Sequence, residues 1–212
     1  MYSPNERLVF IDIETTGLQP SSPIIQVAAI ATDSRANELE SFETKIRLQN
    51  GVKLQHRHSH YDEKLWLKTA RSPRRAAIEL AKFLCRHATV DLISQRGSSF
   101  QVAQLVAHNA EFDSSFLRNW YDQLNVFFPA SYRPLCTLQR ALWLFDENKN
   151  LTPPANYKLG TLCQYFGVQL GESEAHDALA DVRATLSLYR EMTKVVVEDT
   201  VSQPNADLLI TA

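Results

Sequence analysis

Three runs of strand-forming residues follow one another in the first 48 of 212 residues, and the links between them are too short to hold a helix. Residues 7–13 (RLVFIDI), 23–32 (PIIQVAAIAT) and 40–48 (ESFETKIRL) are apolar or alternating stretches rich in Val, Ile, Phe and Thr. Such residues suit a pleated, half-buried surface. The links GLQPSS and DSRANEL carry Gly, Pro, Asp, Ser and Asn, which turn a chain. A parallel pair needs a crossover of a dozen residues or more, so links of this length commit the three strands to an antiparallel meander.

The period then becomes helical. Residues 73–87 (PRRAAIELAKFLCRH) place Ala77, Ile78, Ala81 and Leu84 on one face, behind a Pro that suits a first helical turn. A brief apolar strand at 105–108 (LVAH) runs into an amphipathic helix at 110–124, and further helices are expected at 137–144, 158–166 and 176–195. Three strands followed by alternating helices and short strands describe an α/β fold, a mixed sheet covered by helices. With 212 residues, 44% of them hydrophobic, the chain can bury one full core. Residues 1–197 are expected to form that domain, and 198–212, broken at Pro204, a loosely attached flexible tail.

Composition narrows the function classes. No basic segment followed by a long apolar stretch opens the chain, and no run approaches the roughly 20 apolar residues of a membrane span, so a cytoplasmic protein with no membrane partner is expected. Cys85, Cys136 and Cys163 are widely spaced with no CxxC pair, which points to reduced core residues rather than a disulfide framework or zinc ribbon. A net charge of −2 does not suit a protein that wraps duplex DNA, because such binding rests on many Lys and Arg contacts to phosphate. Basic residues do gather between Lys53 and Arg86, nine against three acids, either as a solvated face or as a lip that guides a phosphate backbone. Within that stretch His56, His58 and His60 would share one face of an extended chain, but no Cys or acid cluster completes a zinc site, and an exposed loop explains them equally.

Chemistry concentrates in three places. Asp12 and Glu14 stand two apart on the first strand, so both carboxylates leave the same face. Adjacent acids in a core-facing strand cost desolvation and repulsion, which a divalent cation offsets, and Mg²⁺ accepts such a pair together with phosphate oxygens and water. Asp113 falls in the first turn of the helix at 110–124, where the helix dipole alone would favour an acid; His108, Asn109 and Phe112 group polar donors and an aromatic beside it. In the last helix Leu179, Val182, Leu186 and Tyr189 make an apolar face that holds Asp181, and His176 lies at the helix start. An imidazole with a pKa near about 6.5 suits a base for water, although a capping or surface role is open to it as well.

In this order and spacing the three elements resemble the motifs of the DEDDh, or DnaQ-like, 3′→5′ exonucleases, a family that includes the proofreading subunit of bacterial DNA polymerase III. Asp12-Ile13-Glu14-Thr15-Thr16-Gly17 resembles the first motif and His108-Asn109-Ala110-Glu111-Phe112-Asp113 the second. His176, followed five positions later by Asp181, resembles the third, the step that separates this branch from the one using Tyr. The likeness runs from about Arg7 to Tyr189 and includes Leu135-Cys136-Thr137-Leu138, Tyr157-Lys158-Leu159-Gly160 and Phe166-Gly167. Two stretches depart from it: residues 56–64 (HRHSHYDEK) replace the usual His-Gly-Ile-Thr, and 88–104 exceed the family's link into the second motif.

The resemblance implies a ribonuclease H-like fold with a mixed five-stranded sheet. It implies release of nucleoside 5′-monophosphates from a 3′ end by two Mg²⁺ ions, with Mn²⁺ as a substitute. By that likeness Asp12 bridges both ions, Glu14 and Asp181 complete one site, Asp113 holds the other mainly through water, and His176 deprotonates the attacking water. Leu18 and Phe112 are candidates to stack on the terminal base, with a plain core role open to both; by the likeness Leu18 wedges at that base, Asn109 contacts substrate and backbone near Thr15 and Thr16 meets the 3′ hydroxyl, and Gly17 and His108 belong to the same binding motifs. Single-stranded DNA is the expected substrate and RNA the alternative, with a polymerase or a second copy as candidate partner. A catalytically idle binding domain is the reading from another class.

Overall fold

The computed structural model describes residues 6–48, 66, 68–169 and 177–195. The tail at 198–212, the HRHSH stretch and His176 lie outside the described residues.

Strands β1 (Leu8–Thr15), β2 (Ile24–Thr32) and β3 (Glu38–Lys45) form the antiparallel meander. Helix α1 (Pro73–Arg86), the hairpin β4 (Val90–Ile93) and β5 (Ser99–Val102), strand β6 (Gln104–Ala107) and helix α2 (Ala110–Gln123) come next. A two-residue strand β7 (Leu135–Cys136) precedes helices α3 (Thr137–Glu147), α4 (Leu159–Tyr165) and α5 (Ala178–Lys194). The main sheet is mixed and five-stranded, in the order β3-β2-β1-β6-β7, with β6 parallel to β1 and β7 parallel to β6.

Alternation along β1 sorts its side chains between two cores. Val9, Ile11 and Ile13 face α1 and α2, where they meet Leu80, Phe83, Phe116, Leu117 and Tyr121. Leu8 and Phe10 face α5 and pack with Val182, Leu186 and Tyr189, with the Phe10 ring edge-on to Tyr189 at 5.3 Å. β2 is buried along all nine residues because both of its faces are covered. Helices α3 and α4 close on the outer side of α5 through Leu144, Phe145, Leu162, Leu188 and Met192. At about 1.5–3 kcal/mol for each large apolar side chain buried, the α5 contacts alone fix the helix firmly against the meander.

Three details differ from the pattern reading, and a fourth describes part of the basic stretch. Helix α1 is turned so that Ala76, Ala77, Leu80, Phe83 and Leu84 are buried and Ile78 is exposed; burying Phe83 against Phe42, at 5.5 Å between rings, sets the rotation. Residues 88–104, read only as a long link, contain the β4–β5 hairpin, whose strands bury little and so carry no strong apolar signal. Cys163 is buried, as expected of a core residue, but Cys85 is exposed on α1; all three cysteines are free. In the described part of the basic stretch, Arg71 and Arg75 pair with Glu79 at 3.7 and 2.9 Å, and Arg74 donates to the Leu124 carbonyl at 2.6 Å. Among the described residues no helix is long and apolar enough to cross a membrane.

Candidate active site

The face of β1 that carries Leu8 and Phe10 continues past the end of the apolar core with Asp12 and Glu14. Across the ladder Asp12 lies opposite Ala28 and Glu14 opposite Gln26. Helix α5, held by Val182, Leu186 and Tyr189, begins over this same face and so brings its first-turn Asp181 onto the two acids. One oxygen from each of Asp12, Glu14 and Asp181 lies within 4.8 Å of the others, and all three side chains are half-buried. Residues 169 positions apart in sequence thereby share one pocket.

Asp113 approaches from α2. It is 3% exposed, and its carboxylate accepts main-chain N–H bonds from its own residue and from Ile13 on β1. Burial pushes its pKa up to about 8 against those bonds, with Glu14 and Asp181 adding to the rise. Burial also lifts the Asp12 carboxyl well above the ordinary carboxylate range, helped by Asp113, Asp181, Glu14 and Asp177 in that order. Four acids gathered in one place, two of them with carboxyls raised by burial and by their neighbours, are a donor set completed by cations; carboxylate oxygens favour hard divalent ions.

The loop after β1 shapes the rim. The ladder slips between Glu14 and Thr15, ending regular pairing. Thr15 Oγ1 donates to the Gly17 carbonyl at 2.7 Å, Thr16 N–H donates to the Pro23 carbonyl at 2.9 Å, and Asn119 of α2 holds the Pro20 carbonyl at 2.7 Å. A Cβ on residue 17 would stand 2.6 Å from Ser22 Oγ, so Gly17 is there for closeness. Thr15, Thr16 and Gly17 are buried, whereas Leu18 is 69% exposed at the loop tip, which removes the plain core reading for Leu18.

Among the other residues singled out from the sequence, Asn109 is exposed and takes a left-handed conformation (φ 61°, ψ 49°) where β6 turns into α2, a backbone that Asn adopts more readily than most residues. Phe112 is half-buried with its ring 4.6 Å from Phe116. His108 is committed to the protein. Its Nε2 lies 3.0 Å from the Tyr157 carbonyl and its Nδ1 3.0 Å from Thr137 Oγ1. Burial keeps the ring below the usual His pKa, so the neutral form donates from Nε2 to the carbonyl and accepts at Nδ1 from the hydroxyl. It braces α3 and the approach to α4 against the end of β6.

Two residues escaped the sequence reading. Asp177 caps α5: its Oδ1 accepts from Leu179 and Ala180 N–H at 3.1 and 3.2 Å. An Asp just before an apolar helix carries that signal. Gln26, 1% exposed, donates to Asp177 Oδ2 at 3.1 Å and to Glu43 Oε1 at 3.0 Å; its trace in the sequence is a single amide inside an apolar strand.

The model of the Rv2179c-like 3′–5′ exoribonuclease domain matches residues 7–193. The chain belongs to that family. The Rv2179c-like domain is 27% identical over 208 residues to the oligoribonuclease of Idiomarina loihiensis, covering 88% of this chain and 93% of that one. It is 29% identical over 207 residues to the PolC-type DNA polymerase III of Caldanaerobacter subterraneus, covering 96% of this chain but only 13% of the polymerase. Its fold superposes on E. coli exonuclease I in complex with a dT13 oligonucleotide with a TM-score of 0.68 at 19% identity, covering 89% of this chain and 41% of that one. These likenesses place it among the DnaQ-like exonucleases, with the mixed sheet read from its pattern and the ribonuclease H-like fold that the resemblance implied, and the Asp12, Glu14 and Asp181 cluster fits their acidic centre.

Proposed function

We propose that this domain removes nucleoside 5′-monophosphates from the 3′ end of single-stranded nucleic acid, with RNA as the first substrate and two Mg²⁺ ions as cofactors that Mn²⁺ can replace. The observation that carries it is the convergence of Asp12, Glu14 and Asp181 within 4.8 Å, with Asp113 buried beside them. Asp12, Glu14 and Asp181 would hold one cation, and Asp113 beside them would help to hold a second. Such ions, when bound, stabilise charge on the phosphoryl and leaving oxygens and lower the pKa of a bound water.

The chain's own groups do the rest. His176, which immediately precedes the capping Asp177, takes the proton from the attacking water. Leu18 stands out from the rim to wedge against the terminal base, the half-buried Phe112 ring stacks on a base, and Asn109 meets the sugar-phosphate. The main chain of Thr15 and Thr16, held by the Pro23 and Gly17 contacts, faces the terminal hydroxyl. His108, with both ring nitrogens engaged, acts as a brace. Stacking and main-chain contacts grip an end without reading its sequence.

RNA comes first because the matched family is an exoribonuclease domain and the oligoribonuclease relative is spanned almost end to end. DNA is the second reading, favoured by the polymerase relative, of which the chain matches only a small part. A panel of 3′-labelled single-stranded RNA, single-stranded DNA and blunt duplex, each with Mg²⁺ or Mn²⁺, tests both. Expected is metal-dependent release of 5′-mononucleotides, faster from RNA, and none from an Asp12→Ala protein. Full turnover in Asp12→Ala would sink the proposal, and faster turnover of DNA would exchange the two substrates.

A further inference from the structure

Between Ile24 and Ala31 the buried strand β2 carries one polar side chain, Gln26. A buried carboxamide without partners costs roughly 1–3 kcal/mol, so its two N–H groups must be used. Both are: Nε2 donates to Glu43 Oε1 at 3.0 Å on the neighbouring strand and to Asp177 Oδ2 at 3.1 Å at the start of α5. Because both acceptors belong to carboxylates, only the nitrogen of the amide can face them, which settles its orientation.

Asp177 is just as fully engaged. Oδ1 accepts the N–H groups of Leu179 and Ala180, and its main-chain carbonyl accepts the N–H of Asp181 at 3.0 Å. One residue thus satisfies three N–H groups of the helix start and keeps Oδ2 for the sheet. Gln26 itself sits directly across the ladder from Glu14. A short path of hydrogen bonds therefore runs from the strand position paired with Glu14, through Gln26 and Asp177, to the backbone of Asp181.

We propose that Gln26 and Asp177 form a positioning pair that pins the first turn of α5 to the sheet and so sets the separation between Glu14 and Asp181. This rests on the reading of those acids as cation ligands. A neutral amide suits the position, since Lys or Arg at residue 26 would compete with cations for the carboxylates, and Glu would repel Asp177. The same bond explains why Asp177, although beside the acidic cluster, is not a fifth member of it. Both of its oxygens are occupied, one by the helix and one by the strand.

The test uses the full chain and the release of mononucleotides from a labelled oligonucleotide. Gln26→Met removes the donor and keeps the shape. Asp177→Ser keeps a good helix cap but is too short to reach Gln26. Each variant should lose about ten- to a hundredfold in kcat and need more Mn²⁺ for half-maximal rate, while KM for the oligonucleotide stays within about twofold. The double variant should be no slower than the slower single one, because both substitutions cut the same link. The pair is refuted by a folded variant with kcat and Mn²⁺ requirement unchanged, by a loss confined to KM, or by losses that multiply in the double variant. Thermal unfolding reports whether each variant folds; if Gln26→Met does not, Asp177→Ser decides alone by the same kcat and Mn²⁺ criteria. The absence of metal-dependent release by the wild-type protein would instead overturn the proposed function itself.

Discussion

Replacing Asp113 with Asn should make the metal-free protein more stable and the enzyme inactive. The carboxyl of Asp113 is 3% exposed, and its pKa is raised from 3.8 to about 8. At pH 7 the group is ionised in the unfolded chain and protonated in the folded, metal-free one, across a gap of about 3.2 pH units. At about 1.4 kcal/mol per unit, holding that proton costs on the order of 4 kcal/mol of stability. For an acid whose folded pKa is raised, the penalty is absent below 3.8, grows as pH rises, and levels off above about 8. Asn has nearly the shape of a protonated Asp, and its oxygen can accept the same main-chain N–H groups of residues 113 and 13. Urea unfolding in a chelator should therefore find the variant more stable by roughly 2 kcal/mol near pH 5.5 and about twice that near pH 7. Mn²⁺-dependent nuclease activity should fall by about a hundredfold or more, since a cation ligand is lost. Equal stabilities at every pH, or a variant less stable than wild type at pH 7, would refute the account of Asp113 as a carboxyl strained by its own burial.

The same electrostatics bear on metal uptake: a cation must displace the proton held by Asp113, whose pKa is raised to about 8, so apparent Mn²⁺ affinity should rise with pH up to about 8 and level off above it, with proton release visible by calorimetry in buffers of different ionisation enthalpy. A pH-independent affinity would count against that coupling. Leu18→Ala removes a side chain that is 69% exposed, so stability should stay within about 0.5 kcal/mol while KM for an oligonucleotide rises severalfold; an unchanged KM removes the wedge. Gly17→Ala places a Cβ 2.6 Å from Ser22 Oγ and should slow turnover by moving the rim, with activity returning when Ser22→Gly is added; no recovery would mean the clash is not the cause.

Much of the fold was legible because its signals are local. Short turn-rich links imposed the meander, the change from period two to period 3.6 marked where helices begin, and the alternation of β1 placed Asp12 and Glu14 on one face. The hairpin at 90–102 and the two-residue β7 were not legible, because strands that short, or that exposed, write no period. Helix α1 was found but its rotation was not, since choosing between Ile78 and Phe83 depends on Phe42 in another element.

The site divides along the same line. By themselves the residues determined that two acids share a strand face, that an acid opens α2, and that another rides on α5. Their meeting was decided by packing: Phe10 and Leu8 accept Val182, Leu186 and Tyr189, and that contact carries Asp181 to within 4.8 Å of its partners. Burial of Asp113, the engagement of His108 with Thr137 and Tyr157, and the bond from Gln26 to Asp177 across 151 positions are likewise products of three dimensions. Periodicity speaks of neighbours along the chain, whereas the distances that let carboxylates act together are set by side chains far apart in it.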